Sequence, residues 1–456
     1  YSTMNNKYRY YDIVSERWVN AVNGLGGTQC TRNAADAGDA SKGCYYYNVF
    51  GSHLTAAPGS PLHNSADEID YITGDMGANT SRSLLVFDFI MNGDLEWEID
   101  GNAVAFATGF QYRQDDVSNK NYGDARCADN KPCQPELHFL PMTYDSANEN
   151  KNYAFFGELS LPVSENLDID LGVRYEDYDV DDITVPKVSA FYKVSDTLAL
   201  RASYEEVFRT PIIPNAIDTS LERIGGEYYE VQTPIPTNLQ PESSDNINLG
   251  LIWTPVEGMR VNLDYYSLDM VDPIGKVSTT SPLAIYNCAD GTNYSPPAAK
   301  PDTCQLINVT TNAINGEGIE TDGLDFQMLY DFETSMGQAQ VGFNGVYLLN
   351  YDIGGCLTAG CDKYDAAGKY NTRATGSPIR VRSMPELKMN FMASLFNGPH
   401  YLRAFVRYVS DYDVAESFAN ASAFASSPMG YDGKSIDDMI TVDLHYTYAV
   451  NDEYIV

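Results

Sequence analysis

The sequence predicts an all-β protein, and within that class an antiparallel transmembrane β-barrel. Three observations predict it. Segments of about ten residues alternate apolar with polar side chains, the connections between them are by turns short and long, and the cysteines lie in pairs within the long connections. Together they indicate strands that cross a membrane, with turns on one side and loops on the other.

The alternation is clearest at Asn166–Tyr175 and recurs at 247–253 and 387–395. Strand side chains have a period of two, so each segment has one apolar and one polar face. The polar face carries charged and amide side chains in strand after strand, which favours lipid outside and water inside. Residues predicted to contact lipid are Leu171, Leu251, Phe391 and Val406, and those predicted to face the lumen are Asp170, Arg260, Lys388 and Arg407.

About fifteen strands are predicted, at 7–21, 82–92, 103–114, 151–163, 167–178, 184–193, 197–208, 243–253, 259–272, 319–331, 338–350, 383–395, 401–413, 438–448 and 453 onward. Short connections fall near 164–166, 194–196, 255–258, 333–337, 397–399 and 451–452. Long ones fall at 22–81, 115–150, 209–242, 273–318, 351–382 and 414–437, and one tight connection near 179–182 replaces a long one. No helix of any length is predicted.

Composition agrees with a barrel. The chain is 43% hydrophobic, yet no apolar run approaches the roughly 18 residues of a membrane-spanning helix. Its 34 tyrosines suit aromatic girdles, for which Trp253, Tyr175, Tyr178, Tyr408 and Tyr412 are candidates. The net charge of -34 argues against nucleic acid as a partner. Solvation of the loops explains that charge best. The alternative is loop-bound Ca²⁺ at Asp177, Asp179, Asp181 and Asp182, or at Asp437 and Asp438; no other cofactor is predicted.

The eight cysteines form four neighbouring pairs, each inside one long connection: Cys30 with Cys44, Cys127 with Cys133, Cys288 with Cys304, and Cys356 with Cys361. An even number of cysteines in polar loops predicts local disulfides in an oxidising compartment. Zinc binding is the alternative. None of the cysteine pairs has the C-x2-C spacing, and no histidine lies at a suitable spacing to complete a zinc site, so no metal site is predicted.

No enzyme is predicted. The chain lacks the nucleophile-elbow, zinc-protease, phosphate-loop and dinucleotide motifs. The histidines, His53, His63, His138, His400 and His445, show no ligand spacing, and His445 alternates with other polar residues on a strand face turned to the lumen. No catalytic residue is therefore named.

Five motifs resemble segments of TonB-dependent outer-membrane receptors, and they occur in this chain in the same order as in that family. Leu200–Pro211 resembles a strand in which R-x-S-Y leads into F-R-x-P, and Leu239–Asn246 resembles the following L-x-P-E-x-S strand. Gly318–Phe326 is similar to the later G-x-E-x-x-G-L-D-F strand. Cys44 with Asn48–Gly51 resembles a disulfide-bearing loop of a proteobacterial branch, and Phe106–Arg113 resembles the strand after it.

The resemblance implies one transmembrane β-barrel domain over 1–456, part of a 22-stranded barrel. The family's N-terminal plug and its terminal strand ending in an aromatic residue have no counterpart, so we expect the domain to be incomplete. The strand at 7–21 and the one after Tyr454 should then be edges. The implied location is the outer membrane of a Gram-negative bacterium. The implied function is active uptake of a scarce nutrient, such as a siderophore, vitamin, oligosaccharide or peptide, driven by the periplasm-spanning protein TonB through the plug.

The predicted partners are outer-membrane lipid, TonB and a small nutrient ligand. Loop tyrosines are the candidate ligand contacts, because their rings can stack on sugars or on catecholate and heterocyclic siderophores: Tyr45, Tyr46, Tyr47, Tyr228, Tyr229 and Tyr294. The alternative is that these rings pack the loops together. The alternative function is a secreted soluble β-sheet binding protein or adhesin stapled by disulfides, which Asn-x-Ser/Thr triplets at Asn79, Asn293, Asn308 and Asn420 would fit.

Overall fold

The computed structural model describes residues 1–127, 137–140, 143–178, 182–210, 217–224, 227–234, 236, 238–277, 279, 281, 283–296, 298–354, 364–370, 383–414 and 435–450. Its elements in chain order are β1 (Ser2–Ile13), α1 (Ser15–Val22), α2 (Ala66–Ile72), β2 (Thr73–Ile99), β3 (Asn102–Gly123), β4 (Arg126–Cys127), β5 (Thr143–Tyr144), β6 (Ser146–Ser164), β7 (Leu167–Tyr178), β8 (Asp182–Ser195), β9 (Leu198–Arg209), β10 (Ile217–Ile224), β11 (Glu227–Pro234), β12 (Glu242–Trp253), β13 (Met259–Val271), β14 (Ile274–Lys276), β15 (Ile285–Cys288), β16 (Asn293–Tyr294), β17 (Leu306–Thr310), β18 (Ala313–Asn315), β19 (Ile319–Thr334), β20 (Gly337–Ile353), β21 (Tyr364–Asp365), β22 (Lys369–Tyr370), β23 (Ser383–Met384), β24 (Leu387–Asn397), β25 (His400–Val409), β26 (Tyr412–Val414), β27 (Ser435–Ile436) and β28 (Met439–Tyr448).

One large sheet dominates the chain. Its strands follow the order β1-β2-β3-β6-β7-β8-β9-β12-β13-β19-β20-β24-β25-β28, and every neighbouring pair is antiparallel. Each predicted strand from 7–21 to 438–448 corresponds to one strand of this order. Among the described residues β1 pairs only with β2 and β28 only with β25, so these two strands are edges. The strand predicted from 453 onward lies outside the described residues.

The connections confirm the predicted sorting into two ends. Tight turns join β2 to β3, β6 to β7, β8 to β9, β12 to β13, β19 to β20 and β24 to β25 at one end of the sheet. The other end carries the long connections, of which 14–72 and 272–318 are examples, together with the tight one between β7 and β8. The long connections form their own small sheets: β10-β11-β17-β15-β16, β14-β18, β4-β5 and β23-β22-β26-β27.

The two faces of the large sheet invert the usual burial pattern. Apolar side chains on one face are exposed, as at Leu171, Leu249 and Phe391, while Leu251 and Val406 are half-buried. On the other face the carboxylates of Glu176 and Asp264 are buried. The buried apolar clusters lie instead at the loop end, around Val14, Val231, Ala21 and Ile353. The apolar strand face therefore belongs to no core within the described residues, as expected for a surface that contacts lipid.

Two short helices correct the prediction that no helix would form. The predicted strand 7–21 stops at Ile13, and Ser15–Val22 is helical; α1 is too short for a 3.6-residue period to stand out. Helix α2 begins with a capping box, in which the Ser65 hydroxyl accepts from the Glu68 amide and the Glu68 carboxylate accepts from the Ser65 amide. No helix in the described part of the chain is both long and apolar enough to cross a membrane.

Candidate functional site

The connection 14–72 folds around the predicted tyrosine triplet. The Tyr45 ring lies edge-on to Tyr71 with ring centres 5.9 Å apart, and the Tyr47 ring lies 5.2 Å from Trp18. Burial raises the pKa of Tyr45, so this phenol stays neutral. Both rings pack against the buried cluster that contains Ala21 and Ile72. Tyr45 and Tyr47 therefore hold the loop together, as the alternative interpretation expected.

Tyr46 differs from its neighbours because it is 57% exposed. Its ring lies on the backbone of Gly24 and Gly38, where an added Cβ would come within 2.4 Å and 2.5 Å of ring carbons. Both glycines also have positive φ, at 80° and 74°. Within the triplet, Tyr46 is thus the ring that this loop offers to solvent.

Two of the four predicted disulfides are confirmed, Cys30–Cys44 and Cys288–Cys304. The side chains of the other two pairs lie outside what the structure describes. We expect peptide mapping of the unreduced protein to find Cys127–Cys133 and Cys356–Cys361, because each pair lies within one loop of an oxidised chain. A bridge joining two different loops would contradict the local scheme.

The connections 210–241 and 272–318 build a second structure, which we name the loop sheet (β10, β11, β15, β16 and β17). One of its faces packs around Val231, Ala284, Tyr286 and Val309, beside the Cys288–Cys304 bridge. Tyr294 packs here too, with its ring centre 4.9 Å from that of Tyr286. Burial raises the pKa of both phenols. Tyr294 is thus part of the packing rather than an open contact.

Of the other predicted tyrosines, Tyr228 and Tyr229 both lie in β11. Tyr229 is half-buried, whereas the side chain of Tyr228 lies outside what the structure describes. A role of the six tyrosines in ligand contact stays a prediction.

The opposite face of the loop sheet is polar, and sequence reasoning missed it. Strand pairing places Glu230 beside Asn308, Gln232 beside Thr310, and Asn287 also beside Asn308. Tyr144, from the connection between β3 and β6, joins this face. We name these side chains the polar platform: Tyr144, Glu230, Gln232, Asn287, Asn308 and Thr310.

Hydrogen bonds tie the polar platform into two neighbouring groups. The Gln232 amide nitrogen donates to the Tyr144 hydroxyl at 3.0 Å and to the Glu230 carboxylate at 2.6 Å. The Asn287 amide nitrogen donates to the Asn308 carbonyl at 2.7 Å and to the Thr310 hydroxyl at 3.0 Å. Burial raises the pKa of Tyr144, so its hydroxyl keeps its proton. The sequence does carry a signal, since Glu230-x-Gln232 and Asn308-x-Thr310 alternate polar with apolar residues.

The polar face of the large sheet forms a second polar surface, a groove of about 450 Å³ between β9 and β24. The Arg201 guanidinium donates to both carboxylate oxygens of Asp264, at 2.8 Å and 2.6 Å. Gly250 lies between them in the strand order, and a Cβ there would be 2.1 Å from Asp264 Oδ1. Lys388 lines the same groove, in agreement with its predicted lumenal position.

Other predicted lumenal residues also have polar partners. Asp170 accepts from the hydroxyls of Ser160 and Ser189, at 2.7 Å and 3.1 Å. Arg407 forms an ion pair with Asp443. Arg174 pairs with Glu176 and also donates to Gln111 at 3.0 Å. Polar side chains on this face therefore form hydrogen bonds and ion pairs with one another, many of them across neighbouring strands.

Metal binding has no support within the described ranges, where no group of three or more His, Cys, Asp and Glu side chains could hold an ion. Asp179 and Asp181 lie outside those ranges. Loop-bound Ca²⁺ therefore stays a prediction.

Nearly the whole chain is similar to one known protein family. The family model described as "TonB dependent receptor-like, beta-barrel" matches residues 3–455. No curated protein sequence matches the chain.

Solved structures give the same fold. A variant of the ferric enterobactin receptor PfeA from Pseudomonas aeruginosa is 13% identical with a TM-score of 0.56, over 86% of this chain and 49% of that one. The siderophore receptor PirA from Acinetobacter baumannii is 15% identical with a TM-score of 0.55, over 83% of this chain and 53% of that one. The chain thus spans about half the length of these structures, and at such identities the likeness establishes the fold alone.

Proposed function

This chain belongs to the TonB dependent receptor-like β-barrel family, and from that premise we propose that it forms the barrel wall of an outer-membrane receptor. The receptor lies in the outer membrane of a Gram-negative bacterium and takes up a scarce small nutrient by active transport. Its partners are the surrounding lipid, TonB and the nutrient, and it performs no chemistry on its cargo.

The observation that carries this proposal is the inverted burial of the large sheet. A strand that crosses lipid exposes apolar side chains outward and keeps polar ones on the water-filled side. Leu249 is 52% exposed, whereas Asp264, on the opposite face of the next strand, is 7% exposed. The alternative of a secreted soluble protein or adhesin requires the apolar strand faces to pack into a core, and among the described residues the buried apolar clusters lie at the loop end instead.

The division of the two sheet ends supports the same proposal. Short turns suit the periplasmic end, and the connections with disulfides, small sheets and half-exposed polar side chains suit a ligand-capturing outer end. PfeA is a ferric enterobactin receptor and PirA is a siderophore receptor. In this proposal the nutrient passes from the loops through the lumen, with TonB supplying the energy through a plug.

The test uses the full-length receptor expressed in cells with and without TonB. We expect accumulation of at least one solute from a panel of labelled ferric siderophores, cobalamin and oligosaccharides to require both TonB and the inner-membrane proton gradient. The protein should also need detergent for extraction and should migrate faster on unheated than on heated SDS gels. Equal uptake without TonB would contradict the coupling, and extraction in plain buffer would contradict the membrane location.

A further inference from the structure

We propose that the outward face of the wall, at the loop ends of β1, β2 and β3, binds the anionic headgroup of lipopolysaccharide, a glycolipid of the surrounding outer leaflet. This inference rests on the proposed function, because it requires the barrel to lie in an outer membrane. It goes beyond that function by assigning a lipid-recognition site to the outside of the wall, away from the path of the nutrient. We name the residues concerned the basic patch: Lys7, Arg9, Tyr11, Lys120 and Tyr122.

The register of the strands places the basic patch on the same face as the apolar side chains. β2 and β3 pair without irregularity along residues 76–94, so residues two apart on either strand share a face. Phe110 lies on the apolar face, and Lys120 is ten residues further along β3. Lys7 pairs with Asn79, which pairs with Lys120. The two lysines therefore point outward at one level, about 10 Å apart across two strand spacings.

Two aromatic rings order the cations of the basic patch. Lys7 Nζ lies 5.3 Å from the centre of the Tyr122 ring, and Arg9 Cζ lies 5.1 Å from the centre of the Tyr11 ring. The Tyr122 ring reaches Lys7 across Gly77, where an added Cβ would be 2.3 Å from a ring carbon. Contacts between a cation and an aromatic face hold the charged group in place without neutralising it.

The basic patch carries charge that the described chain does not neutralise. Lys7 and Lys120 are exposed, and among the described residues neither lies within ion-pair distance of a carboxylate. Arg9 pairs with Asp75 at 2.6 Å, so three cations and one acid leave a net charge of about +2. The whole chain, by contrast, has a net charge of -34. A local cluster of positive charge attracts phosphate and carboxylate groups.

Acids elsewhere on the outward face make the basic patch the favoured contact for an anion. Between the patch and the apolar region, Glu149 pairs with Lys151 at 2.7 Å, and Asp116 accepts a hydrogen bond from a serine hydroxyl. Further round the wall, outward carboxylates include Asp245 and Asp322, whose partners in the described chain are tyrosine and asparagine side chains rather than cations. An anionic headgroup is repelled there and attracted at the patch.

The height of the basic patch indicates a large headgroup. Phe87, Tyr112 and Tyr153 lie side by side on the outward face and form an aromatic girdle, which marks the edge of the lipid. Lys120 is eight residues beyond Tyr112, which places it roughly 19 Å above the girdle at about 3.3 Å per residue and a 45° tilt. A phospholipid headgroup layer is only about 5–8 Å thick. A phosphate at the level of the patch must therefore be carried on a longer saccharide headgroup, as it is in lipopolysaccharide.

The test is native mass spectrometry of the detergent-purified full-length receptor, titrated with lipopolysaccharide that has a complete phosphorylated core. EDTA is present, so that bridging divalent cations contribute nothing. We expect Lys7→Gln/Lys120→Gln to raise the apparent Kd about tenfold, because two charge-assisted contacts to phosphate are lost, and Lys7→Arg/Lys120→Arg to keep the parent affinity. Lys187→Gln/Lys388→Gln removes two lysines from the lumenal face. It is the matched control, and its affinity should equal that of the parent.

Truncated lipids provide a second measurement. We expect lipid A without its core, and phosphatidylglycerol, to bind the parent about tenfold more weakly than complete lipopolysaccharide, because their charges lie near the girdle and below the patch. Equal affinity of the parent for complete lipopolysaccharide and for either truncated lipid would overturn the inference. Equal affinity of the parent and Lys7→Gln/Lys120→Gln for complete lipopolysaccharide would overturn it as well.

Failure of this inference can be distinguished from failure of the proposed function. Faster migration of each variant on unheated gels ensures that the barrel has folded. If Lys7→Gln/Lys120→Gln binds lipopolysaccharide as tightly as the parent does, while the receptor needs detergent for extraction and accumulates a solute only with TonB, this inference alone is refuted. Extraction of the receptor in plain buffer would refute the proposed function, and this inference with it.

Discussion

Replacement of Leu249 by arginine is expected to destabilise the barrel by about 2–4 kcal/mol. Leu249 lies well inside β12, and its side chain is 52% exposed on the apolar face. An arginine there must either desolvate its charge in hydrocarbon or bend toward the membrane surface, and both cost free energy. The measurement is the urea midpoint of the full-length receptor refolded into lipid vesicles.

Asn248→Arg is the matched control, because Asn248 is the preceding residue of the same strand and points to the polar face. The Asn248→Arg substitution should lower the stability of the barrel only slightly, because water reaches that side of the wall. Equal losses at positions 248 and 249 would mean that the apolar face does not contact lipid, and the membrane assignment would fail.

Replacement of Gly250 by valine is expected to cost about 1–3 kcal/mol. The new side chain would occupy the space in which Arg201 Nε and Asp264 Oδ1 meet, at 2.5 Å and 2.1 Å from the added Cβ. Because both groups end flexible side chains, the backbone need not shift, but the two-pronged ion pair must separate. Asp264 is almost buried, so its carboxylate would lose its partner without gaining full hydration.

Gly172→Val provides the comparison. Gly172 also lies on the polar face of a central strand, yet an added Cβ there meets its nearest neighbour, the Lys187 Cβ, at an ordinary 3.5 Å. We expect the same unfolding measurement to show a small change or a gain, because valine suits strands better than glycine. If Gly250→Val were as stable as Gly172→Val, the ion pair between Arg201 and Asp264 would contribute nothing to the stability of the barrel.

The large sheet could be predicted from the sequence because a membrane imposes a strict alternation of faces. That alternation stops where the strands leave the lipid. Asn79 to Arg82 in β2 are all polar, so a pattern search begins the strand near 82, whereas its pairing with β1 starts at Thr73. Outside the bilayer both faces are wet, and period-two hydrophobicity no longer marks a strand.

The loop structures were harder to predict for a related reason. Local disulfides could be predicted from cysteine spacing, and Cys30–Cys44 and Cys288–Cys304 are confirmed. The pairing of β11 with β17 joins residues far apart in the chain and runs parallel. No local pattern encodes such a contact, so the polar platform, which depends on it, was missed. Tyrosines drew attention as candidate contacts, but Tyr45, Tyr47 and Tyr294 pack against neighbouring rings.

The unequal lengths of the strands give the cell a lopsided rim. A membrane crossing needs about 10 tilted residues, whereas β2 has 27 residues and β7 has 12. The excess in β2, which pairs with β1 and β3 at the loop end, adds roughly 30–40 Å of height at about 3.3 Å per residue and a 45° tilt. In the proposed orientation, antibodies or phage tails arriving from outside would meet the tall side at β1, β2 and β3 before the low side at β7 and β8.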